Sequence, residues 1–244
     1  MVLFATPWEF SFYFGSGNAA KIVLWLSAII GIIFALFLLA SYLNTRKREH
    51  LYWGISFALL WINTHIAIAG GTYAYFLQEV PATFSALMVG LFAVGLFINV
   101  KPEKEKLGNY LLIYVIAMSL AIGFFKQATV NIVLGTEPIL VSILVMALHI
   151  PSAILIIWLP LQTREENGKS ALMMTIAGAL MSLVGLLLAL ATLEVFTGYT
   201  LVGYLFIVFS LFPFVYLAAI IAFAWGIFVP KRWSFDIAGI ELED

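Results

Sequence analysis

A bundle of seven membrane-spanning helices, all-α, with its amino terminus outside and its carboxyl terminus in the cytoplasm, is the fold class this sequence predicts. Three observations lead there. Of 244 residues, 64% are hydrophobic and 10% charged, where a soluble domain carries about a quarter charged residues. The charges gather in short clusters between apolar stretches that are mostly near the roughly 20 residues a spanning helix requires. Basic residues also concentrate on alternate connections, and Lys and Arg beside short loops stay cytoplasmic.

The spans run Ala20 to Leu43, Leu51 to Phe76, Ala82 to Val100, Tyr110 to Phe125, Ile139 to Leu161, Ala171 to Phe196 and Leu201 to Val229, the fourth being the shortest. Arg46, Lys47, Arg48, Lys101, Lys104, Lys106, Arg164, Lys169, Lys231 and Arg232 fall on one side of this layout, ten of the twelve basic residues. Lys21 and Lys126 fall on the other. Residues 1–18 lack the basic start and long apolar core of a cleaved signal peptide. Their Phe4, Trp8, Phe10, Phe12, Tyr13 and Phe14 suit a segment lying in the outer headgroup layer. Residues 19–229 then form the spanning domain of a multi-pass cell-membrane protein, and Pro230 to Asp244 a short cytoplasmic tail.

Lipid is as apolar as leucine, so spanning helices associate through small residues and a few interhelical hydrogen bonds. The first span offers Ser27, Gly31 and Ala35 at four-residue steps, and the third Ala82, Ala86 and Gly90. The sixth carries a seam of Ala171, Thr175, Gly178, Ser182, Gly185, Ala189 and Thr192, in which Ser182 is a polar packing residue. Pro151 and Pro213 lie inside the fifth and seventh spans, where each removes a ladder hydrogen bond and bends its helix. A parallel 3+1+3 repeat is suggested by Leu43-Asn-Thr-Arg46 against Leu161-Gln-Thr-Arg164, and by Ile98-Asn-Val-Lys101 against Ile227-Phe-Val-Pro-Lys231. Such repeats turn about an axis along the membrane normal in some transporters.

Several chemistries find no support. There is no cysteine, and aspartate occurs only at Asp236 and Asp244 in the tail, so the spans carry no thiolate site and no aspartate pair for Mg²⁺. No Gly-rich phosphate loop, HExxH or GxSxG occurs. No catalytic residue is therefore nominated, and an enzyme is disfavoured. A net charge of -1 leaves nothing to attract nucleic acid. The layout is similar to that of microbial rhodopsins, which hold retinal on a lysine of the last helix. Here no lysine lies between Leu201 and Val229, and the third span, ATFSALMVGLFAVGLFINV, has no acidic counter-ion. Retinal is accordingly not expected. The layout is also similar to the seven-span sensory modules that precede prokaryotic signalling domains; here only a short tail follows the last span, so a signal is expected to pass to a separate cytoplasmic partner protein.

Ionisable groups inside spans are costly, and each is a functional candidate. Three stand out: His65 in WINTHIAIAGG, His149, and Glu194 near the outer end of the sixth span. Asn63 and His65 lie about 160° apart around the helix, so they serve different partners. Asn63 continues the stripe Ser56, Asn63, Gly70 and reads as interhelical packing, while His65 shares a stripe with Trp61, Ala69 and Thr72. Polar positions on two sides place the second span at the centre of the bundle. His149 shares a face with Ser142 and Met146. Counting about 1.5 Å per residue brings His65 and His149 to similar depths. Each imidazole either bonds a nearby hydroxyl or carbonyl on its own, or the two meet as a polar site or as axial ligands of a haem. Glu194 either reaches outer water or forms an acidic mouth beside Tyr73, Tyr75 and Tyr199. At the inner surface, His50, Glu49 and Asn99 solvate or cap helix ends.

The functional expectation is a non-enzymatic receptor or carrier whose small central pocket is edged by His65, Thr72, Ser142 and His149, with Glu194 at its mouth. Its rivals are a cytochrome b-like electron-transfer subunit and a structural subunit of a larger membrane complex.

Overall fold

The computed structural model describes residues 17–69, 79–131, 137–163, 169, 171–183, 214–215 and 217–226. Among these residues the chain forms helices joined by short turns, without strands. Seven α-helices appear in chain order: α1, Gly17–Thr45; α2, Arg48–Ala69; α3, Glu79–Val100; α4, Glu105–Asn131; α5, Glu137–Gln162; α6, Ala171–Leu183; and α7, Leu217–Gly226. A single 3₁₀ turn, Pro102–Lys104, precedes α4. Three stretches are long and apolar enough to cross a membrane: Trp25–Thr45, Pro102–Phe124 and Ile143–Gln162.

The turn from α1 to α2 is tight. Arg46 takes a left-handed φ of 58° and gives its backbone N–H to the carbonyl of Tyr42, a helix-ending geometry that usually selects glycine or asparagine. Above the turn, the small residues of α1 do what their spacing predicts. Ser27, Gly31 and Ala35 are buried, Gly31 lies against Leu60, and Gly54 of α2 faces Leu39 and the Ala35 carbonyl.

Among the described residues the central helix is α3, whereas polar residues on two sides of the second span predict that place for α2. Every residue from Met88 to Ile98 is buried, and α3 touches α2, α4 and α5. The reason is compositional: a helix apolar all round, with no polar face to offer solvent, stabilises itself by taking neighbours on every side. Its glycines set how closely those neighbours come. A Cβ on Gly90 would fall 2.3 Å from Val115 of α4, and one on Gly95 would fall 2.4 Å from the Trp53 indole. Trp53, Phe57 and Phe92 enclose Phe223 of α7, with ring centroids 5.7, 5.1 and 4.6 Å from it. This aromatic cluster joins α2, α3 and α7.

The fourth span is longer than its apolar core suggests. α4 starts at Glu105 and continues past Lys126, which the sequence places in a loop, to Asn131. Glu, Lys and Gln are good helix formers, so a helix does not stop where its apolar stretch does.

α5 contains two prolines, Pro151 and Pro160. Each leaves the carbonyl four residues earlier without its ladder donor, and the first of the two is met by a donor from a neighbouring helix. Tyr114 of α4 donates its hydroxyl to the Ala147 carbonyl at 2.6 Å. The Ile156 carbonyl is approached by Gly178 of α6, where a Cβ would come within 2.9 Å of the oxygen and 2.1 Å of the Ile156 side chain. On α6, Ala171 and Gly178 of the predicted seam are buried, and Met174, Ala177 and Met181 widen it. The part of that seam beyond Leu183, and Pro213, lie outside the described residues.

Candidate functional site

Two polar stations stand out in the bundle. The first is His149, on the α5 turn just before Pro151. Its side chain is buried, and Nδ1 lies 3.0 Å from the carbonyl of Val145. A carbonyl only accepts, so Nδ1 carries the hydrogen and Nε2 presents its lone pair. That Nε2 is buried and has no hydrogen-bond partner among the described residues, a condition shared only with the Ser119 hydroxyl. Ser152, one turn along, is satisfied within its own helix by the Leu148 carbonyl at 2.7 Å. A buried polar atom without a partner costs about 1–3 kcal/mol, so its persistence calls for an explanation.

The second station is at the opposite kind of place, a bundle end rather than its interior. Arg48, in the first turn of α2, forms an ion pair with Glu105 at the start of α4. It also donates to Asn109 at 2.8 Å and to the Tyr52 hydroxyl at 3.0 Å. The Tyr52 bond chiefly, together with the Glu105 charge, raises the Arg48 pKa further above its ordinary value. Asn99 reaches Glu49 at 3.4 Å. The Ser41 hydroxyl and His50 Nδ1 share a buried hydrogen bond of 2.9 Å, and the His50 ring lies 6.2 Å from that of Trp53. Burial, reinforced by the Lys47 charge, pushes the His50 imidazole down to about 4. His50 is thus a neutral structural group near neutral pH, where position alone suggested a solvated helix end.

The predicted site residues divide as follows. His149 is in the interior, as described. His65 and Asn63 lie on α2, and Ser142 on α5, with side chains outside the described residues; Thr72 and Glu194 lie outside them altogether. Ser182 gives its hydroxyl to the Gly178 carbonyl of its own helix at 2.7 Å, so its polar bond is local. The interhelical bond of this kind comes from Ser56, which donates to the Met88 carbonyl of α3 at 2.8 Å, on the stripe that Asn63 extends. Among the described residues no three His, Cys, Asp or Glu side chains converge as a metal site. The Tyr114 and Arg48 contacts carry no sequence signal, because their partners stand 33 and 57 residues away.

Among the described residues these helices define an all-helical architecture, with three helices long and apolar enough to cross a membrane. No protein-family model matches the chain, and no curated protein or solved structure matches it either.

Proposed function

We propose that the chain is a seven-span integral protein of the cell membrane, amino terminus outside, acting as a non-enzymatic receptor or carrier for a small molecule held against His149. The unpartnered Nε2 of His149 carries this reading, since a ligand that donates a hydrogen bond there removes the cost of a bare buried acceptor. The membrane setting is supported by the outward faces of the bundle. Ile33 and Leu36 of α1, Ile113, Leu120 and Phe124 of α4, and Ile154 of α5 are all more than half exposed, a surface suited to acyl chains and costly in water. Pockets between helices with few polar groups are a usual form for such ligand sites. If the 3+1+3 repeat operates, the two three-helix units rock about the site as a carrier would.

The same imidazole geometry supports a second reading, a cytochrome b-like subunit. A haem-ligating histidine donates one ring N–H to a carbonyl and offers the other nitrogen to iron, which is the arrangement of His149 with Val145. One preparation separates the two readings. Gently purified protein is examined by absorption spectroscopy and by native mass spectrometry, alongside a His149→Leu variant verified to be folded. A bound small molecule lost in the variant, without a Soret band, supports the receptor or carrier. A Soret band lost in the variant supports the cytochrome. Folded wild-type protein that carries neither overturns both and leaves a structural subunit.

A further inference from the structure

We infer that the α1–α2 turn and the 3₁₀ turn before α4 together form a cationic shelf that seats the phosphate headgroups of anionic phospholipids. The two turns are clasped to each other. Arg48 spans from the start of α2 to Glu105 and Asn109, and Glu49 meets Asn99 at the end of α3. This brings Arg46 and Lys47 to the same end of the bundle as Lys101, Lys104 and Lys106. Among the described residues the only ion pair is Arg48 with Glu105, so the other five cations have no carboxylate partner there. Arg46, Lys47, Lys104 and Lys106 are exposed. Six cations from Arg46 to Lys106 against Glu49, Glu103 and Glu105 leave this edge with a charge of +3.

One further feature favours lipid over a soluble acidic protein. Beside the cations, Leu43, Leu107 and Tyr110 are 63%, 52% and 68% exposed. Apolar side chains leading directly into cationic ones match an acyl chain leading into a phosphate. Juxtamembrane Lys/Arg clusters of this size bind anionic leaflets through charge.

The inference rests on the membrane reading, and its test separates the two. The full chain is purified in detergent and offered phosphatidylglycerol and phosphatidylcholine of equal chain length, with retention read by native mass spectrometry. At low salt phosphatidylglycerol is retained about tenfold over phosphatidylcholine, and 0.5 M salt removes most of the preference. The quadruple variant R46N/K47Q/K104Q/K106Q brings the two lipids near parity, while R46K/K47R keeps the preference. Parity in the wild type overturns the shelf and leaves the cations to a soluble acidic partner. Equal displacement of the lipid by 10 mM inorganic phosphate also overturns it, because the site then reads free phosphate. A chain that stays monodisperse in water without detergent refutes the membrane reading itself. Should the quadruple variant fail to fold, the wild-type lipid and salt comparisons decide the matter.

Discussion

Tyr114 of α4 gives its hydroxyl hydrogen to the Ala147 carbonyl of α5 across 2.6 Å, and that carbonyl is the one Pro151 deprives of its ladder donor. One helix thus repairs the defect in another. Hydrogen bonds of this kind between apolar helices are worth about 0.5–1.5 kcal/mol. Tyr114→Phe is therefore expected to lower stability by about that amount in a denaturant titration in mixed micelles. Pro151→Ala restores an N–H to serve Ala147, so the Tyr114→Phe cost shrinks in that background. An equal cost in both backgrounds would show that the hydroxyl acts elsewhere.

Close approach of α3 and α4 depends on Gly90. A Cβ there would fall 2.3 Å from Val115, whose side chain alone makes the three nearest contacts. Gly90→Ala should destabilise by about 1–3 kcal/mol through overpacking. Val115→Ala opens the matching space, so the double variant should be more stable than the two separate losses imply. Simple additivity of the two losses argues against a shared contact.

Two serines contrast local with interhelical bonding. Ser182 bonds the Gly178 carbonyl of its own helix, so Ser182→Ala should change stability by under about 0.5 kcal/mol. Ser56 is buried and bonds Met88 across the α2–α3 contact. Ser56→Ala should cost about 1 kcal/mol. The reverse ranking in thermal melts would place the packing bond on α6 instead.

His50 makes stability depend on pH. Its folded imidazole titrates at about 4 and its unfolded one at the ordinary 6.5, so the unfolded chain takes up its proton first as pH falls. The contribution is complete above pH 6.5, declines on acidification, and is gone below pH 4. Allowing for solvent screening, about 1–2 kcal/mol should disappear over that window. His50→Gln should flatten the dependence in melts taken between pH 4 and 7; an unchanged slope assigns it to other groups.

Much of the fold was legible in residues near one another. The Ser27, Gly31, Ala35 stripe reports a contact face because i and i+4 share a side of a helix, and α1 buries that side. Pro151 announces a missing donor by its chemistry alone. The length of α4 was less legible, since Lys126 and Gln127 end an apolar pattern without ending a helix. At the site, His149 was visible as an ionisable residue in an apolar stretch. The role of His50 was not, because a histidine beside Arg46, Lys47 and Arg48 looks solvated until Ser41 is brought beneath it.

By itself, then, the sequence determined the helical class, the apolar stretches, the small-residue faces and the positions of the broken ladder bonds, all consequences of local periodicity and covalent chemistry. Only the tertiary structure decided that α3 is the central helix among the described residues and that Tyr114 serves Ala147. It alone decided that His149 Nε2 is left without a partner among the described residues while His50 is secured. Those outcomes depend on how each helix is rotated and placed against its neighbours, and that follows from packing the whole bundle at once rather than from any one segment.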